Sequence, residues 1–568
     1  MDHEAAMKEE PTLPAKRTEI FMVADPKTWD EHRGLFHYIF DLIPVTDRWR
    51  ESLTLSDRVA KTVDPSDTWQ ARISVILLKL LWWLDGPMKM FGHFLEDTLN
   101  LFTANGGIFK TFFRLLFFRH RLVAPHRESE NYVSFIGALD PRSTLCYTGI
   151  PSSNVNAVLF PGADCGSKFL ADVLVMASKL AYENAKYVEK VVTRIWKMHF
   201  VGFYNCWNAV DASVDGEADD VDFHAAEQQK QKNTQVSLFT DRPKNARAIV
   251  VAFRGTEPFN AKDWSTDFDF SWFQIDGLGK VHVGFLEALG LGDRKNMDTF
   301  KNMKKRAQWQ RTNAHHGSAM SGLPADVVAD KEKPLAYDDV TSEVKKLMSQ
   351  NPAAKLFVTG HSLGGALANM YTAFLFFNNE EMLISRYGAL YTFGQPRTGA
   401  KDYSDFLIGK VEQSRYRRVV YGDDLVPRVP FDDKIFQFKH CGYCYYYNLR
   451  YMETTMSDAP NHNFFSWKFS VMISQRVGAI YDLILSIFAG WIYGPEYREG
   501  LISIFVRFFG LLTPGLVSHL LNNYVNAVRL GPPFLVAHLD DDQAAGLFGF
   551  FLPFRQSLNP ALTADHGD

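Results

Sequence analysis

Cysteine is scarce in this sequence, and its positive and negative charges nearly balance. Five cysteines are scattered over 568 residues, which is too few for a disulfide framework. Cys441 and Cys444 have C-x-x-C spacing, yet no second pair stands at metal-ligand distance in the sequence, so we interpret them as core thiols. The formal net charge is only −4, which gives no general attraction to nucleic acid, and we expect no such partner.

The N-terminus lacks the apolar stretch of a secretory signal peptide and is acidic instead. We therefore expect the chain to stay on the cytosolic side and not to be secreted. Charged residues interrupt three apolar stretches: Lys79 in 73–84, Asp482 in 479–493 and Arg507 in 501–517. A spanning helix needs about 20 predominantly apolar residues, so we expect these segments to enter an apolar phase without crossing it.

A possible nucleophile lies at Ser362, in the sequence Gly360-His361-Ser362-Leu363-Gly364. A β-like run at 355–359 precedes this motif and a helix-like run at 366–371 follows it. That order is typical of a G-x-S-x-G elbow, whose flanking glycines let strand and helix approach closely. Two glycines around a serine also arise by chance in long chains, so an acid, a base and an oxyanion donor must be found as well.

The chemistry of a serine nucleophile requires two partners. A histidine must accept the hydroxyl proton, and a carboxylate must orient that histidine and stabilise its charged form. In α/β-hydrolases the acid follows the serine, after a later strand, and the histidine comes last. A strand candidate at 417–421 ends in Gly422-Asp423-Asp424, so its position makes either aspartate a candidate acid.

Five segments in sequence order resemble the class 3 (fungal-type) triacylglycerol lipases: 251–256, 281–286, 360–365, 392–399 and 424–430. The long hydrophobic N-terminal and C-terminal extensions are most similar to those of the plant oil-body lipases. The resemblance implies an α/β-hydrolase fold with a mostly parallel central sheet. It also implies hydrolysis of triacylglycerol esters through an acyl-enzyme, which releases fatty acids without a metal or organic cofactor. Phospholipase A1 or galactolipase activity is the alternative among enzymes, and a catalytically silent lipase-like scaffold is the alternative of another class.

The same resemblance assigns roles to individual residues. It implies that Ser362 is the nucleophile and that Asp424, directly before Leu-Val-Pro, is the acid, with Asp423 interpreted as a surface neighbour. The oxyanion hole is expected from the backbone N–H of Leu363 and from Thr256, whose N–H and hydroxyl can both point at the developing charge. Such donors contribute about 3 to 4 kcal/mol each.

Two histidines after the acid are candidates for the base. The family's histidine lies on a loop near the end of the domain with an aromatic residue shortly after it. His519, followed by Tyr524, fits this pattern better than the alternative, His462. His440 lies in a strand-like segment and is interpreted as structural.

Residues 1–135 are predicted to form a helical, lipid-associating region before a hydrolase domain at 136–568. After a turn signal at 105–107, aromatic and aliphatic residues recur at helical spacing beside basic ones: Phe109, Phe112, Phe113, Leu116 and Phe117, with Lys110, Arg114 and Arg121. Such a helix is typical of a lipid interface, although packing on the hydrolase core is the alternative. We predict peripheral or monotopic attachment to a lipid droplet (oil body) or membrane surface, and no oligomeric state is indicated.

Two insertions are predicted within the hydrolase domain, a polar one near 294–334 and an apolar one near 465–512. A third feature is a cluster of aromatic residues after the expected oxyanion loop: Trp264, Phe268, Phe270, Trp272 and Phe273. Members of the family place a lid and an acyl groove in this segment. Core packing is the alternative for some of these side chains. We expect others to line an acyl pocket, since burial stabilises an acyl chain by about 0.8 kcal/mol per methylene.

Overall fold

The computed structural model describes residues 20–21, 69–118, 122–146, 166–208, 234–292, 294, 299, 335–432, 436–461 and 469–532. Its strands are β1 Ile20–Phe21, β2 His199–Cys206, β3 Thr234–Thr240, β4 Ala248–Phe253, β5 Trp272–Ile275, β6 Gly279–His282, β7 Lys355–His361, β8 Tyr387–Phe393, β9 Gly399–Ala400, β10 Tyr416–Tyr421, β11 Phe438–Lys439, β12 Cys444–Tyr447 and β13 Glu453–Met456. Its α-helices are α1 Trp69–Ala104, α2 Ile108–Phe113, α3 Phe135–Leu139, α4 Lys168–Leu180, α5 Ala185–Lys190, α6 Ala261–Phe268, α7 Val283–Ala288, α8 Ala336–Gln350, α9 Leu363–Phe377, α10 Glu381–Ile384, α11 Lys401–Lys410, α12 Phe469–Ile492, α13 Leu501–Phe509, α14 Pro514–Ser518 and α15 Leu521–Leu530.

The central sheet contains eight strands in the order β13-β12-β10-β8-β7-β4-β3-β2. The five strands from β12 to β4 run parallel, while β13 at one edge and β3 and β2 at the other pair antiparallel. Phe253 is in register with Gly360, and Gly360 with Thr392, so the carboxyl ends of β4, β7 and β8 meet at one edge. The expected α/β-hydrolase fold with a mostly parallel central sheet is confirmed.

Hydrophobic cores lie on both faces of this sheet, because successive side chains of a strand point to opposite faces. On β4, Ile249, Val251 and Phe253 pack into a core with α8 and α9. Val250 and Ala252 pack on the other face with α4 and α15. Strands covered on both faces are rich in apolar residues throughout, as the sequence of β4 is.

A second, antiparallel sheet, in the order β1-β5-β6-β9-β11, holds part of the aromatic cluster expected to form a lid and acyl groove. Phe270, Trp272 and Phe273 are buried there and belong to the core. Trp264 and Phe268 are half-buried on α6 with their rings stacked 6.1 Å apart. Of the five, only these last two are partly exposed.

The N-terminal region forms a longer helix than its local pattern indicates. The apolar run at 73–84 belongs to α1, which has 36 residues, contains Pro87 and ends at the predicted turn. Packing explains the extension: Phe91 meets Phe259 edge to face at 5.6 Å, and Glu96 Oε1 accepts a hydrogen bond from Phe135 N at 2.9 Å. The helix thus lies against the hydrolase domain, and the predicted boundary after residue 135 falls at the start of α3.

The predicted apolar insertion near 465–512 corresponds to α12 and α13, where the structure describes it. Of the polar insertion near 294–334, only residues 294 and 299 are among the described residues. Within the described part of the chain, none of the helices combines the length and the apolar character needed to cross a membrane.

Candidate active site

Ser362 stands at the junction of β7 and α9 with φ 59° and ψ −134°, in the left-handed region that side chains rarely adopt. The flanking glycines permit this turn. A Cβ at Gly360 would overlap the backbone of Gly364, and a Cβ at Gly364 would overlap the backbone at the end of β4. The serine side chain is therefore presented at the carboxyl edge of the sheet, as an elbow requires.

His519 connects the predicted nucleophile with the predicted acid. Its Nε2 lies 2.8 Å from Ser362 Oγ, and its Nδ1 lies 2.7 Å from Asp424 Oδ2. Because a carboxylate only accepts, Nδ1 carries the proton and Nε2 is free to accept from the serine hydroxyl. The structure brings these three residues together, while the alternative base, His462, lies outside the described residues.

Asp424 is fully buried and held from several sides. Its Oδ1 accepts from Val426 N at 2.9 Å, and its Oδ2 also accepts from the hydroxyl of Tyr524. Arg428 fixes the loop by donating to the Asp424 carbonyl and, at 2.7 Å, to Pro460 O. Asp423, interpreted as a surface neighbour, is instead half-buried, and burial raises the pKa of its carboxyl.

Gly394, just after β8, leaves the space that the histidine and the acid occupy. A Cβ there would lie 2.9 Å from His519 Cε1 and 3.0 Å from Asp424 Oδ2, and its φ of +59° favours glycine. Sequence reasoning did not single out this position. Its signal was the location of a glycine directly after a strand at the carboxyl edge.

His361, the neighbour of the nucleophile, supports the His519 loop. Its Nδ1 lies 2.9 Å from Tyr182 Oη, its Nε2 lies 3.1 Å from the His519 carbonyl oxygen, and the two imidazoles stack at 4.5 Å. Burial, followed by the proximity of His519, holds the pKa of His361 well below its usual value. A neutral His361 therefore donates from Nε2 to the His519 carbonyl and accepts from the tyrosine.

The two predicted oxyanion donors lie beside the elbow. Leu363 is the first residue of α9, and a Cβ at Gly255 would overlap the His361 carbonyl, so the loop carrying Thr256 touches the elbow. Among the described residues, neither the backbone N–H of Leu363 nor that of Thr256 has a hydrogen-bond acceptor. Both groups are thus available to an oxyanion.

The Thr256 hydroxyl has a partner that the sequence did not reveal, Asp267 on α6. Thr256 Oγ1 and Asp267 Oδ2 are 2.6 Å apart in a buried hydrogen bond. Burial, the main cause, raises the pKa of Asp267 to about 8, and nearby Asp263 adds to the rise. A protonated Asp267 can donate to the threonine oxygen, which leaves the hydroxyl hydrogen free to point at the oxyanion.

The remaining candidate groups lie in ordinary core environments. The thiols of Cys441 and Cys444 are buried, and burial raises their pKa values to about 12 and about 11. His440 Nε2 lies 2.6 Å from Pro427 O, and burial keeps the pKa of this imidazole well below its usual value. Within the described ranges, no group of three or more His, Cys, Asp or Glu residues could hold a metal ion.

Comparisons with known proteins agree with this architecture. The sequence model of Lipase (class 3) matches residues 250–434, which include the elbow and the acid. Triacylglycerol lipase OBL1 of Nicotiana tabacum is 40% identical over 502 residues, covering 82% of this chain and 84% of the relative. The chain belongs to the class 3 lipase family. The predicted resemblance and the predicted enzyme class, a lipase, are confirmed.

Other class 3 lipases are similar over comparable or smaller parts. Triacylglycerol lipase OBL1 of Arabidopsis thaliana is 40% identical over 475 residues, covering 82% of this chain and 85% of the relative. Among solved structures, the native propeptide complex of Rhizomucor miehei lipase is 20% identical, covers 56% of this chain and 79% of that chain, and has a TM-score of 0.32.

Proposed function

We propose that this class 3 lipase hydrolyses the ester bonds of triacylglycerol at the surface of a lipid droplet and releases free fatty acids. The observation that carries the reaction is the pair of hydrogen bonds made by His519, which accepts from the Ser362 hydroxyl at Nε2 and donates from Nδ1–H to Asp424. The substrate class is supported by plant relatives that are named triacylglycerol lipases. Their alignments with this chain cover most of the length of each relative.

In the proposed reaction, Ser362 Oγ attacks the ester carbonyl while His519 Nε2 takes the hydroxyl proton. Asp424 stabilises the resulting imidazolium through Nδ1–H. The tetrahedral intermediate collapses, and His519 returns the proton to the departing glyceride oxygen. Water then attacks the acyl-enzyme with the same histidine as base, so a fatty acid leaves and Ser362 is restored.

The oxyanion of each tetrahedral intermediate is proposed to accept from the backbone N–H groups of Leu363 and Thr256 and from the Thr256 hydroxyl. Each such donor stabilises the transition state by about 3 to 4 kcal/mol when it is oriented in advance. The rigid positions of these donors, one at the start of α9 and one held by Asp267, support that assignment.

The droplet location is supported by the exposed face of α2. Phe109 and Phe112 of α2 are exposed, as is Leu116 in the π-helical turn Arg114–Phe118 that continues it, and Lys110 and Arg114 are exposed beside them. An apolar, aromatic face flanked by basic residues is typical of a helix lying in a lipid interface. We propose that this helix and the neighbouring α1 attach the enzyme from the cytosolic side without crossing the lipid layer.

Substrate preference can be measured by fatty-acid release from triolein emulsion and from phosphatidylcholine or galactolipid vesicles. We expect release from triolein to dominate and to disappear in Ser362→Ala, which should also lose labelling by a fluorophosphonate probe. Faster release from the vesicles would replace the proposal with phospholipase or galactolipase activity. A wild-type protein that neither labels nor releases fatty acid would favour a silent scaffold.

A further inference from the structure

The helices α12 and α13 differ from an ordinary surface helix, which turns a polar face to solvent, because their outward faces are apolar. From residue 477 to residue 492, every exposed side chain of α12 is apolar or aromatic: Val477, Ile480, Tyr481, Ile484, Ile487, Phe488, Trp491 and Ile492. The charged residue in this span, Asp482, is buried. On α13, Phe505 and Phe508 are exposed while Ser503 and Arg507 are buried.

Arg507 is the centre of a buried hydrogen-bond network on the inner side of this helix pair. Its guanidinium donates to Glu499 at 2.6 and 2.7 Å and to Asp482 Oδ2 at 3.1 Å. It also donates to Asn523 Oδ1 at 2.6 Å. Since a buried charge needs such partners, α12 and α13 cannot turn over to hide their apolar faces without breaking these bonds.

The same hydrogen-bond network reaches the segments that carry His519 and Asp424. Asn523 Nδ2 donates to Val517 O at 2.9 Å, two residues before His519. Tyr421, which lies at the end of β10 three residues before Asp424, donates its hydroxyl hydrogen to Asp482 Oδ1 at 2.8 Å. The position of α12 and α13 is therefore tied to the loops of the base and the acid.

Two features indicate what covers the outer faces. The exposed apolar surface continues from α13 through Leu512 and Leu516 to the turn that carries His519, so it leads to the site of ester hydrolysis. Charge returns only at the ends of the pair, at exposed Arg476, Glu496 and Arg498. A large face without charge that adjoins a lipase site fits an apolar phase.

The helix α13 is also connected, through one short helix, to the N-terminal helix α1. The short helix α3 contacts α13 on one side and α1 on the other. The outer faces of α12 and α13 and the N-terminal face thus flank one element of the hydrolase domain.

We propose that α12 and α13 dock on the lipid surface through their outer faces, and that the Arg507 network thereby holds the His519 loop in place. The inference rests on the proposed lipase function, because it takes the lipid surface as the phase that contains the substrate. The proposed lipid contact of α12 and α13 is a second surface, distinct from the N-terminal attachment, and hydrogen bonds connect it to the loops of His519 and Asp424.

Docking is tested by flotation of the full-length protein with triolein droplets coated with phosphatidylcholine. The triple variant Ile484→Gln, Trp491→Gln, Phe508→Gln removes apolar area only from the outer faces. We expect its partition onto droplets to fall about tenfold or more, with turnover of water-soluble p-nitrophenyl butyrate unchanged.

The matched control removes three exposed hydrophobic side chains elsewhere, by Met382→Gln, Tyr443→Gln and Met452→Gln, and should float like the wild type. A second comparison, Phe109→Gln with Phe112→Gln, changes only the face of α2. Equal flotation of the triple variant and the wild type overturns the inference, as does loss of flotation in the α2 variant alone. A wild-type dimer that the triple variant dissociates, measured by light scattering, replaces the lipid with a second copy.

These readouts separate the inference from the proposed function. If the wild type floats but releases no fatty acid, docking stands and the proposed function fails. If it hydrolyses p-nitrophenyl butyrate but does not float, the inference fails and ester hydrolysis stands.

The link to the site is tested with Asn523→Ala. We expect kcat for p-nitrophenyl butyrate to fall about tenfold with KM unchanged, and to fall less on coated triolein droplets, where docking restrains the loop. Asn526→Ala is the control, because this buried residue on the same helix bonds Arg142 and Tyr451 instead. Equal kcat losses in the two variants, or the same loss on both substrates, would overturn the link.

Discussion

The central sheet hides its apolar side chains, whereas the outer helix pair α12 and α13 exposes many of its own. Around the sheet, apolar residues such as Phe239 and Val250 are fully buried. In the outer pair, Arg507 is 2% exposed whereas Trp491 is 88% exposed. Burial of apolar area is the dominant stabilising term in water, and the outer pair uses it only in part, through residues such as Leu485. Its exposed apolar face is therefore suited to another phase.

Both regions nevertheless use buried hydrogen-bond networks. At the sheet edge, the network around Asp424 orients His519 toward Ser362. In the outer pair, the network around Arg507 orients two helices and reaches the same loop. The first network orients the reactive groups and the second orients the outer face, and two hydrogen bonds, Asn523 to Val517 and Tyr421 to Asp482, link the outer pair to the loops of the site.

The largest expected effect concerns the reactive side of this comparison. Replacing His519 by alanine removes the group within reach of Ser362 Oγ, and we expect kcat to fall about 10,000-fold. His462→Ala should retain most of the activity. Steady-state hydrolysis of p-nitrophenyl butyrate checks both variants, and a large loss in His462→Ala with activity kept in His519→Ala would reverse the assignment of the base.

Stability should also distinguish the two regions. Phe239→Ala removes a fully buried ring that packs against Trp196 at 5.7 Å, and we expect it to lower the free energy of unfolding by about 3 to 5 kcal/mol. Trp491→Ala, on the exposed face, should change it by less than about 0.5 kcal/mol in water. Urea unfolding in the absence of lipid measures both values. A large loss for Trp491→Ala would show that its ring is covered in solution.

A methyl group added at the edge of the central sheet should affect activity more than a methyl group added on the surface of α11. Gly394→Ala places a Cβ within 3.0 Å of His519 and Asp424, and we expect kcat to fall about 100-fold as these groups shift. Gly409→Ala on α11 meets no atom within 4 Å and should stabilise the helix by about 0.5 to 1 kcal/mol. Kinetics and thermal unfolding check the pair, and equal kcat values would contradict the account of Gly394.

The smallest expected effect is a pH dependence of the oxyanion hole. Below its pKa of about 8, Asp267 is protonated and can donate to Thr256, which leaves the threonine hydroxyl for the oxyanion. Above that pH, the carboxylate accepts the hydroxyl hydrogen, so we expect kcat to fall about tenfold as pH rises through 8. Asp267→Asn cannot ionise and should lose this decline. A decline that persists in the variant would assign it to another group.

Much of the fold and the candidate site was predictable from the sequence because its signals are local. The elbow at Ser362 needs only a strand, two glycines and a helix in succession, and Asp424 directly follows β10. The parallel sheet and the family were predicted from five short segments and are confirmed. The roles of Ser362, Asp424, His519, Thr256 and Leu363 stay predictions that the geometry supports.

Other features could not be predicted because they depend on contacts between distant segments. The length of α1 depends on packing against α6 and α3, whereas the local sequence around Pro87 obscures a continuous helix. For the aromatic cluster at 264–273, the sequence left open which rings line an acyl pocket and which pack in the core, and the fold buries Phe270, Trp272 and Phe273. Neither outcome is encoded in residue spacing alone.

The elbow and the acid after its strand follow from the sequence, because each depends on neighbouring residues. The folded chain decides which histidine meets the serine, since His519 lies 157 residues from Ser362 and 95 from Asp424. It also decides that α12 and α13 face outward, because the direction of an amphipathic helix depends on where its charges find partners. Arg507 finds them inside the protein, beside Asn523 and the loop of His519.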